Sequence, residues 1–411
     1  MTVTTPAPSV FDAGLPALEY DVNESPHDVC DRILAAQRVA PIAIGPFGPE
    51  VLSYELARGI LRDTRFVIPP GLHLVAQGVT SGPLWDRVVG SIICAEGAEH
   101  HRLRSLVSRA FTPRAIARLH DTIHEVLNEL IDGVAAGGRC DIVTDIARHY
   151  PIPIICALVG APRGHWAQFE LWAEAIFTMV DFSVNLIDEM PVVLRGWAEM
   201  DAYVDDMVAE RRLHMTEDLL SDLIRAEEDG DRLSADELRM TVASLLLAGT
   251  DTTRNQLAAS LQVLLDHPEQ WAMLCEHPEL AMSAVEESMR HSPAVCSTVR
   301  TAHQDVELGG YTFPAGAFIF VNSFAANRDP TVYQEPDRFD ITREGAPAVL
   351  TFGGGVHYCL GANLARSELA EGLTILARRM PDARRVGPAP WKPMLGMSGP
   401  TSLPVEFGAP R

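Results

Sequence analysis

Apolar residues recur at intervals of three and four over most of 99–266, so the patterning predicts a mainly helical protein. A helix-like pattern at 26–39 precedes short apolar runs at 40–44 and 50–53. The turn signal Gly45-Pro46-Phe47-Gly48-Pro49 between them predicts a small hairpin, followed by a helix at 54–63. Residues 69–90 are rich in glycine and proline but carry Leu72, Leu74, Val75 and Trp85, the composition of a long loop with apolar side chains. Two helical segments within 165–213 flank an apolar, aromatic-rich stretch at 176–187 that includes Phe177 and Val180. Ser234 and Glu237 form a capping box opening a helix that runs to about residue 266, roughly 45 Å at 1.5 Å per residue. A further helix is predicted at 279–290. After Pro293 the pattern turns to strands at 299–300, 306–308, 311–313 and 317–322, then a helix at 362–380 and a hairpin within 397–407.

The fold class is therefore mainly α with a small β region, read as a single domain over 1–411 with a loosely ordered segment at 1–20. Apolar residues make up 47% of the chain, enough for a large core, and a net charge of −22 excludes nucleic acid as a partner. No basic leader precedes an apolar run and no stretch nears the ~18 apolar residues of a membrane span, so a cytoplasmic, monomeric protein without a membrane anchor is the expectation. Seven well-separated cysteines with no CxxC pair argue against a disulfide framework and a zinc ribbon. One local exception to the acidity is 102–118, where Arg102, Arg104, Arg109, Arg114 and Arg118 occur without an acid.

Two stretches carry candidate chemistry. In Phe352-Gly353-Gly354-Gly355-Val356-His357-Tyr358-Cys359-Leu360-Gly361 a glycine-rich loop delivers a cysteine to the start of a helix, where a thiolate is stabilised. The dinucleotide fingerprint fails, because Tyr358 stands where a third glycine is needed. A Cys359–His357 catalytic pair, an inert cysteine and thiolate ligation of haem stay open on local grounds. The second stretch is Ala248-Gly249-Thr250-Asp251-Thr252-Thr253, a poor helix sequence inside a long predicted helix, and such local inconsistency marks either a tolerated kink or a functional site. Glu287 and Arg290, three apart on one helix face, are placed to pair.

Taken together these motifs resemble the cytochrome P-450 family. Phe352-x-x-Gly355-x-His357-x-Cys359-x-Gly361 is similar to its haem loop, 248–252 to its oxygen-activation motif, and Glu287-x-x-Arg290 to its Glu-x-x-Arg pair. Asn327-Arg328-Asp329-Pro330 and Asp337-Arg338-Phe339 resemble the meander before the loop. The order and spacing fit the soluble bacterial type over essentially the whole chain.

The resemblance implies haem b between the long central helix and the cysteine-loop helix, with Cys359 as metal ligand on the haem iron. It implies haem contacts from Ala248, Gly249, Phe352, Gly355 and Gly361, and propionate binding by His100, Arg104, Arg300 and His357. The sequence Glu96-Gly97-Ala98-Glu99 departs from the family pattern ahead of His100. Asp251 and Thr252 become the catalytic pair that hands protons to O2, while Glu287 and Arg290 become a structural pair closed by Arg338. Implied too is a monooxygenase that inserts one atom of O2 into a C–H bond or double bond of a hydrophobic small molecule (terpenoid, steroid, fatty acid or polyketide). Its substrate contacts would include Leu245, Ala248, Val295, Cys296, Phe177, Val180 and Leu395. Electrons would come from NAD(P)H only indirectly, through ferredoxin reductase and a ferredoxin docking on 102–118. The alternative is a non-catalytic haem-thiolate protein that binds a ligand or gas.

Overall fold

The computed structural model describes residues 7–21, 24, 26–108, 111–181, 184–228, 233–394 and 396–408. The chain forms two compact units: Met1–Pro69 with Glu286–Cys359 and Trp391–Gly399, and Pro70–Val285 with Leu360–Pro390 and Pro400–Arg411.

The first unit is built on a five-stranded sheet. The expected hairpin is present, with Ile42–Gly45 antiparallel to Gly48–Val51 and Ile42 opposite Val51. The sheet continues through Phe318–Asn322, Ser297–Ala302 and Phe66–Val67. The strand Gly48–Val51 pairs parallel to Phe318–Asn322, which is itself antiparallel to Ser297–Ala302. The helix Tyr54–Arg62 buries Leu56, Ala57, Ile60 and Leu61, a helical spacing, in a core with Val51, Phe66, Phe313 and Val321. A separate two-stranded hairpin, Val306–Leu308 with Tyr311–Phe313, turns through Gly309 and Gly310, both at positive φ (62° and 83°) as a tight hairpin turn requires.

Within the segment expected to be loose, residues 7–20 are anchored, while residues 1–6 lie outside the described residues. Val10 and Leu18 are buried, and the amide of Leu18 donates to the Ile44 carbonyl (2.8 Å) while that of Ile44 donates to the Pro16 carbonyl (2.9 Å). Two apolar anchors and edge pairing offset the entropy of ordering residues from 7 onward.

The second unit is helical. His120–Ala135, Pro151–Val159, Asp251–Asp266 and Ala362–Arg379 pack together around the fully buried Tyr150, whose hydroxyl donates to the Glu368 carbonyl (2.7 Å). The stretch Ile142–Val159 has the length and hydropathy of a membrane span, yet 61% of it is buried in the fold and it divides into Ile142–Ala147 and Pro151–Val159. Three expectations change in this unit. The loop at 69–90 contains the short helices Leu72–Val75 and Pro83–Val89 from Leu72 on. The segment within 397–407 is no hairpin on itself, since Pro404–Glu406 pairs with Arg139–Asp141 and Arg384–Arg385. The long helix at 235–266 is two helices, Ala235–Ala248 and Asp251–Asp266; its capping box is present, Glu237 N–H to Ser234 Oγ at 3.2 Å and Ser234 N–H to Glu237 Oε2 at 2.6 Å.

Candidate active site

In the first unit, the cysteine loop begins with a short 3-10 turn, Leu350–Phe352, and passes through a second, Gly355–His357. The Cys359 amide closes it by donating to the Phe352 carbonyl at 2.9 Å. Val356, Tyr358 and Cys359 are exposed while His357 is half-buried. Phe352 and Tyr358 face each other at 6.3 Å between ring centroids.

Gly355 is required by a neighbour within the protein itself. Its φ is +64°, and a Cβ there would stand 2.3 Å from the Leu61 carbonyl oxygen. The Tyr54–Arg62 helix thus packs backbone against backbone on this loop. Gly355→Ala is expected to cost about 1–3 kcal/mol, from the left-handed conformation and the collision, measurable as a shift of the urea midpoint; an unchanged midpoint would contradict it. At Gly361, in the second unit, an added Cβ meets only the Phe111 ring at 3.9 Å.

A chain of hydrogen bonds links the Glu287–Arg290 pair to that loop. Both side chains are buried, 3% and 1% exposed, and the pair is bidentate: Arg290 Nε to Glu287 Oε2 at 2.7 Å and Nη2 to Oε1 at 2.8 Å. Arg290 also donates to the carbonyls of Asn327 (3.2 Å), Pro336 (2.6 Å) and Arg338 (2.9 Å). The Asn327 side chain then holds the Leu350 amide (2.8 Å) and Thr351 Oγ1 (2.9 Å), at the mouth of the cysteine loop.

The third member of this cluster is Arg343, whose Nε lies 3.2 Å from Glu287 Oε2; this corrects Arg338. The Arg338 side chain points to solvent and pairs with Glu335 and Asp340, so only its carbonyl serves the cluster. No pattern around Thr342-Arg343 signals this, because the approach is set by the irregular chain at 334–343.

In the second unit, the break between Ala235–Ala248 and Asp251–Asp266 follows from its residues. The Leu247 carbonyl accepts from the Thr250 amide (3.1 Å) and hydroxyl (2.8 Å), and the Ala248 carbonyl accepts from the Thr252 hydroxyl (3.2 Å). Threonine hydroxyls thereby take over carbonyls that a continuous helix would pair with amides. Asp251 opens the second helix, 5% exposed and ion-paired with Arg254 one turn on. That partner was legible as an i, i+3 acid–base pair. Ala248 is exposed and Thr252 half-buried beside it, whereas Leu245 is buried; a Cβ on Gly249 would sit 3.4 Å from Ile155.

Of the proposed propionate group, His100 is buried and Arg104 half-buried, one turn apart on Gly97–Ser108, in the second unit. In the first unit Arg300 is buried on Ser297–Ala302, donating to Thr298 Oγ1 (3.1 Å) and the Val299 carbonyl (2.9 Å).

The substrate candidates fall into two local groups. Phe177 and Val180, half-buried, lie beside the loop at 69–90, because the Gln77 side-chain amide donates to the carbonyls of Met179 (2.8 Å) and His73 (3.0 Å). His73, missed in the sequence, sits on this loop with its imidazole pKa lowered by burial. Arg87 ties the same region down through a bidentate pair with Asp201 (2.5 and 2.6 Å) and by stacking over Trp197. In the other unit Val295 bridges to Met397 and Cys296 is buried with Met394, its thiol pKa raised by burial. Leu395 lies outside the described residues. The basic stretch is less bare than it reads: Arg102 pairs with Glu99 and Glu237, and Arg118 with Glu217, leaving Arg114 exposed, while Arg109 lies outside the described residues.

Comparison with known proteins places these motifs in context. The family model for cytochrome P-450 matches residues 87–379. Luteothin monooxygenase of Streptomyces thioluteus is 35% identical over 407 residues, covering 97% of both chains. Polyketide biosynthesis cytochrome P-450 PksS of Bacillus subtilis (strain 168) is 35% identical, over 78% of this chain and 79% of its own. The crystal structure of CalO2 matches with a TM-score of 0.88 at 30% identity, over 96% of this chain and all of that one (100%).

Proposed function

The chain belongs to the cytochrome P-450 family, and from that membership we propose how its residues divide the work of a monooxygenase. The family implies haem and O2; bound haem supplies the iron chemistry that splits O2. Monooxygenation, which relatives carry in their names, outweighs the ligand-carrier alternative. We read 1–411 as one catalytic domain.

The residues suit the prosthetic group. A cysteine sulfur on a tethered loop is a soft anionic donor for iron, and its place in sequence just ahead of the helix that begins at Ala362 suits the thiolate form. Cys359 is the proposed iron ligand; Phe352, Gly355, Gly361, Ala248 and Gly249 are proposed to border the ring. His100, Arg104, Arg300 and His357 are proposed to bind its propionates, a role suited to four cationic or hydrogen-bonding side chains.

Asp251 and Thr252 are proposed to deliver protons. The observation that carries this is the helix break itself, which puts a buried carboxylate and a hydroxyl on successive residues. Thr252 Oγ1 can exchange its bond to the Ala248 carbonyl for a water. The Asp251 carboxylate can pass protons inward, positioned by Arg254, which is itself 24% exposed.

The substrate reading is a hydrophobic molecule of the polyketide class, supported by the name of one relative and by the apolar candidate contacts. A ligand panel scored by spin-state shift of the haem spectrum tests it. Polyketide lactones or aglycones should shift the spectrum at micromolar concentrations, and a panel in which only small charged molecules do so would overturn it.

Electrons are proposed to come from a ferredoxin, reduced by its reductase at the expense of NAD(P)H, because the sequence carries no flavin or nicotinamide motif. Arg114, exposed, is the charge of 102–118 offered to this acidic partner. Arg114→Glu should slow reduction about tenfold at low salt and little at high salt. Equal rates at low salt would move docking elsewhere.

A further inference from the structure

Outside both motifs, in the second unit, His120 and His124 lie on one face of the His120–Ala135 helix, four residues apart, against Glu371 of the Ala362–Arg379 helix. Glu371 Oε2 stands 2.8 Å from His120 Nδ1 and 3.3 Å from His124 Nε2. The two imidazoles are 4.2 Å apart between centroids and tilted by 46°. We propose that these three side chains form a site for a divalent transition-metal ion, zinc or one of like preference, that clamps the two helices together.

Four observations carry it. The ligand atoms all lie within 4.8 Å of one another; bond lengths of about 2.0–2.2 Å put tetrahedral ligands roughly 3.3–3.5 Å apart, so an ion would fit the His124–Glu371 spacing and would widen the 2.8 Å between His120 and Glu371 by about half an ångström. Despite the short separations, Glu371 Oε2 is buried and takes no hydrogen bond, which leaves its lone pairs available to an ion. Glu371 Oε1 is held separately by Ser367 Oγ at 3.2 Å, so the carboxylate is oriented by an outer partner as ligating carboxylates are. The frame is also fixed further along both helices, where Arg379 reaches Asn128 Oδ1 and Asp132 Oδ1, each at 2.6 Å.

Two imidazoles and one carboxylate favour zinc, copper, nickel or cobalt over magnesium and calcium, which prefer oxygen alone. His120, with its side chain 55% exposed, leaves a fourth position to water. The ion would hold the two helices of the second unit together without entering the reaction.

The test uses the chelator-treated holoenzyme titrated with zinc against a chromophoric chelator. One equivalent should bind and raise the melting temperature. His124→Ala and Glu371→Gln should weaken binding at least about tenfold and remove the thermal shift, while the carbon monoxide spectrum stays as in the parent. His120→Ala, altering an exposed side chain, gives the same readout should the others fold poorly. A parent protein that binds no stoichiometric zinc, or variants that bind it as tightly as the parent, would overturn the proposal.

Discussion

Arg290→Ala is expected to lower the unfolding free energy by about 3–5 kcal/mol, the scale for removing one partner of a buried ion pair. The penalty arises because Glu287 stays behind, 3% exposed, with Arg343 at 3.2 Å as its remaining charged partner. Three carbonyls, of Asn327, Pro336 and Arg338, also lose a charged donor. The damage should travel: Asn327 holds the Leu350 amide and Thr351 hydroxyl, so the cysteine loop loses its anchor along with the cluster. Urea unfolding should show the loss, and haem retention during gel filtration should fall with it. A double variant that replaces both Glu287 and Arg290 by apolar residues should cost less than Arg290→Ala alone. If the single substitution costs under about 1 kcal/mol, the pair is not the anchor described here.

Asp251→Asn should lower product formation by at least about 10²-fold, the lower end of what a positioned proton donor contributes. The amide is isosteric, so the break between the two helices and the substrate contacts should persist. Substrate-induced spin shift and the carbon monoxide band of the variant should therefore match the parent, and a larger solvent isotope effect should report the slowed proton step. Thr252→Ala probes the other half: without its hydroxyl, O2 should still be consumed but a larger share should end as peroxide. Turnover within twofold of the parent in Asp251→Asn would remove Asp251 from the proton path.

Much of this was legible in the sequence, for local reasons. The hairpin at Ile42–Gly45 and Gly48–Val51, the capping box and the strand run after Pro293 each declare themselves through local pattern, and the structure contains them. The cysteine loop and the Glu287–Arg290 spacing could be read because their chemistry lies close in sequence. What escaped depends on long-range approach. Arg343 replaces Arg338 because the path of the irregular chain, not spacing, decides which guanidinium reaches Glu287. Residues 7–20 are anchored through burial of Val10 and Leu18, which a Pro-rich composition conceals. Gly355 was legible as necessary, but the Leu61 carbonyl beside it is visible only in the fold. The single long helix failed where the threonines had already advertised competition for the backbone.

The central claim is that Cys359 ligates the haem iron as a thiolate. The most direct measurement is the carbon monoxide difference spectrum of the reduced holoenzyme, taken for the parent and for Cys359→His. The account predicts the red-shifted Soret band of thiolate ligation in the parent, with a band at the imidazole position in the variant. A parent spectrum at the imidazole position, or a thiolate band that survives Cys359→His, would contradict it.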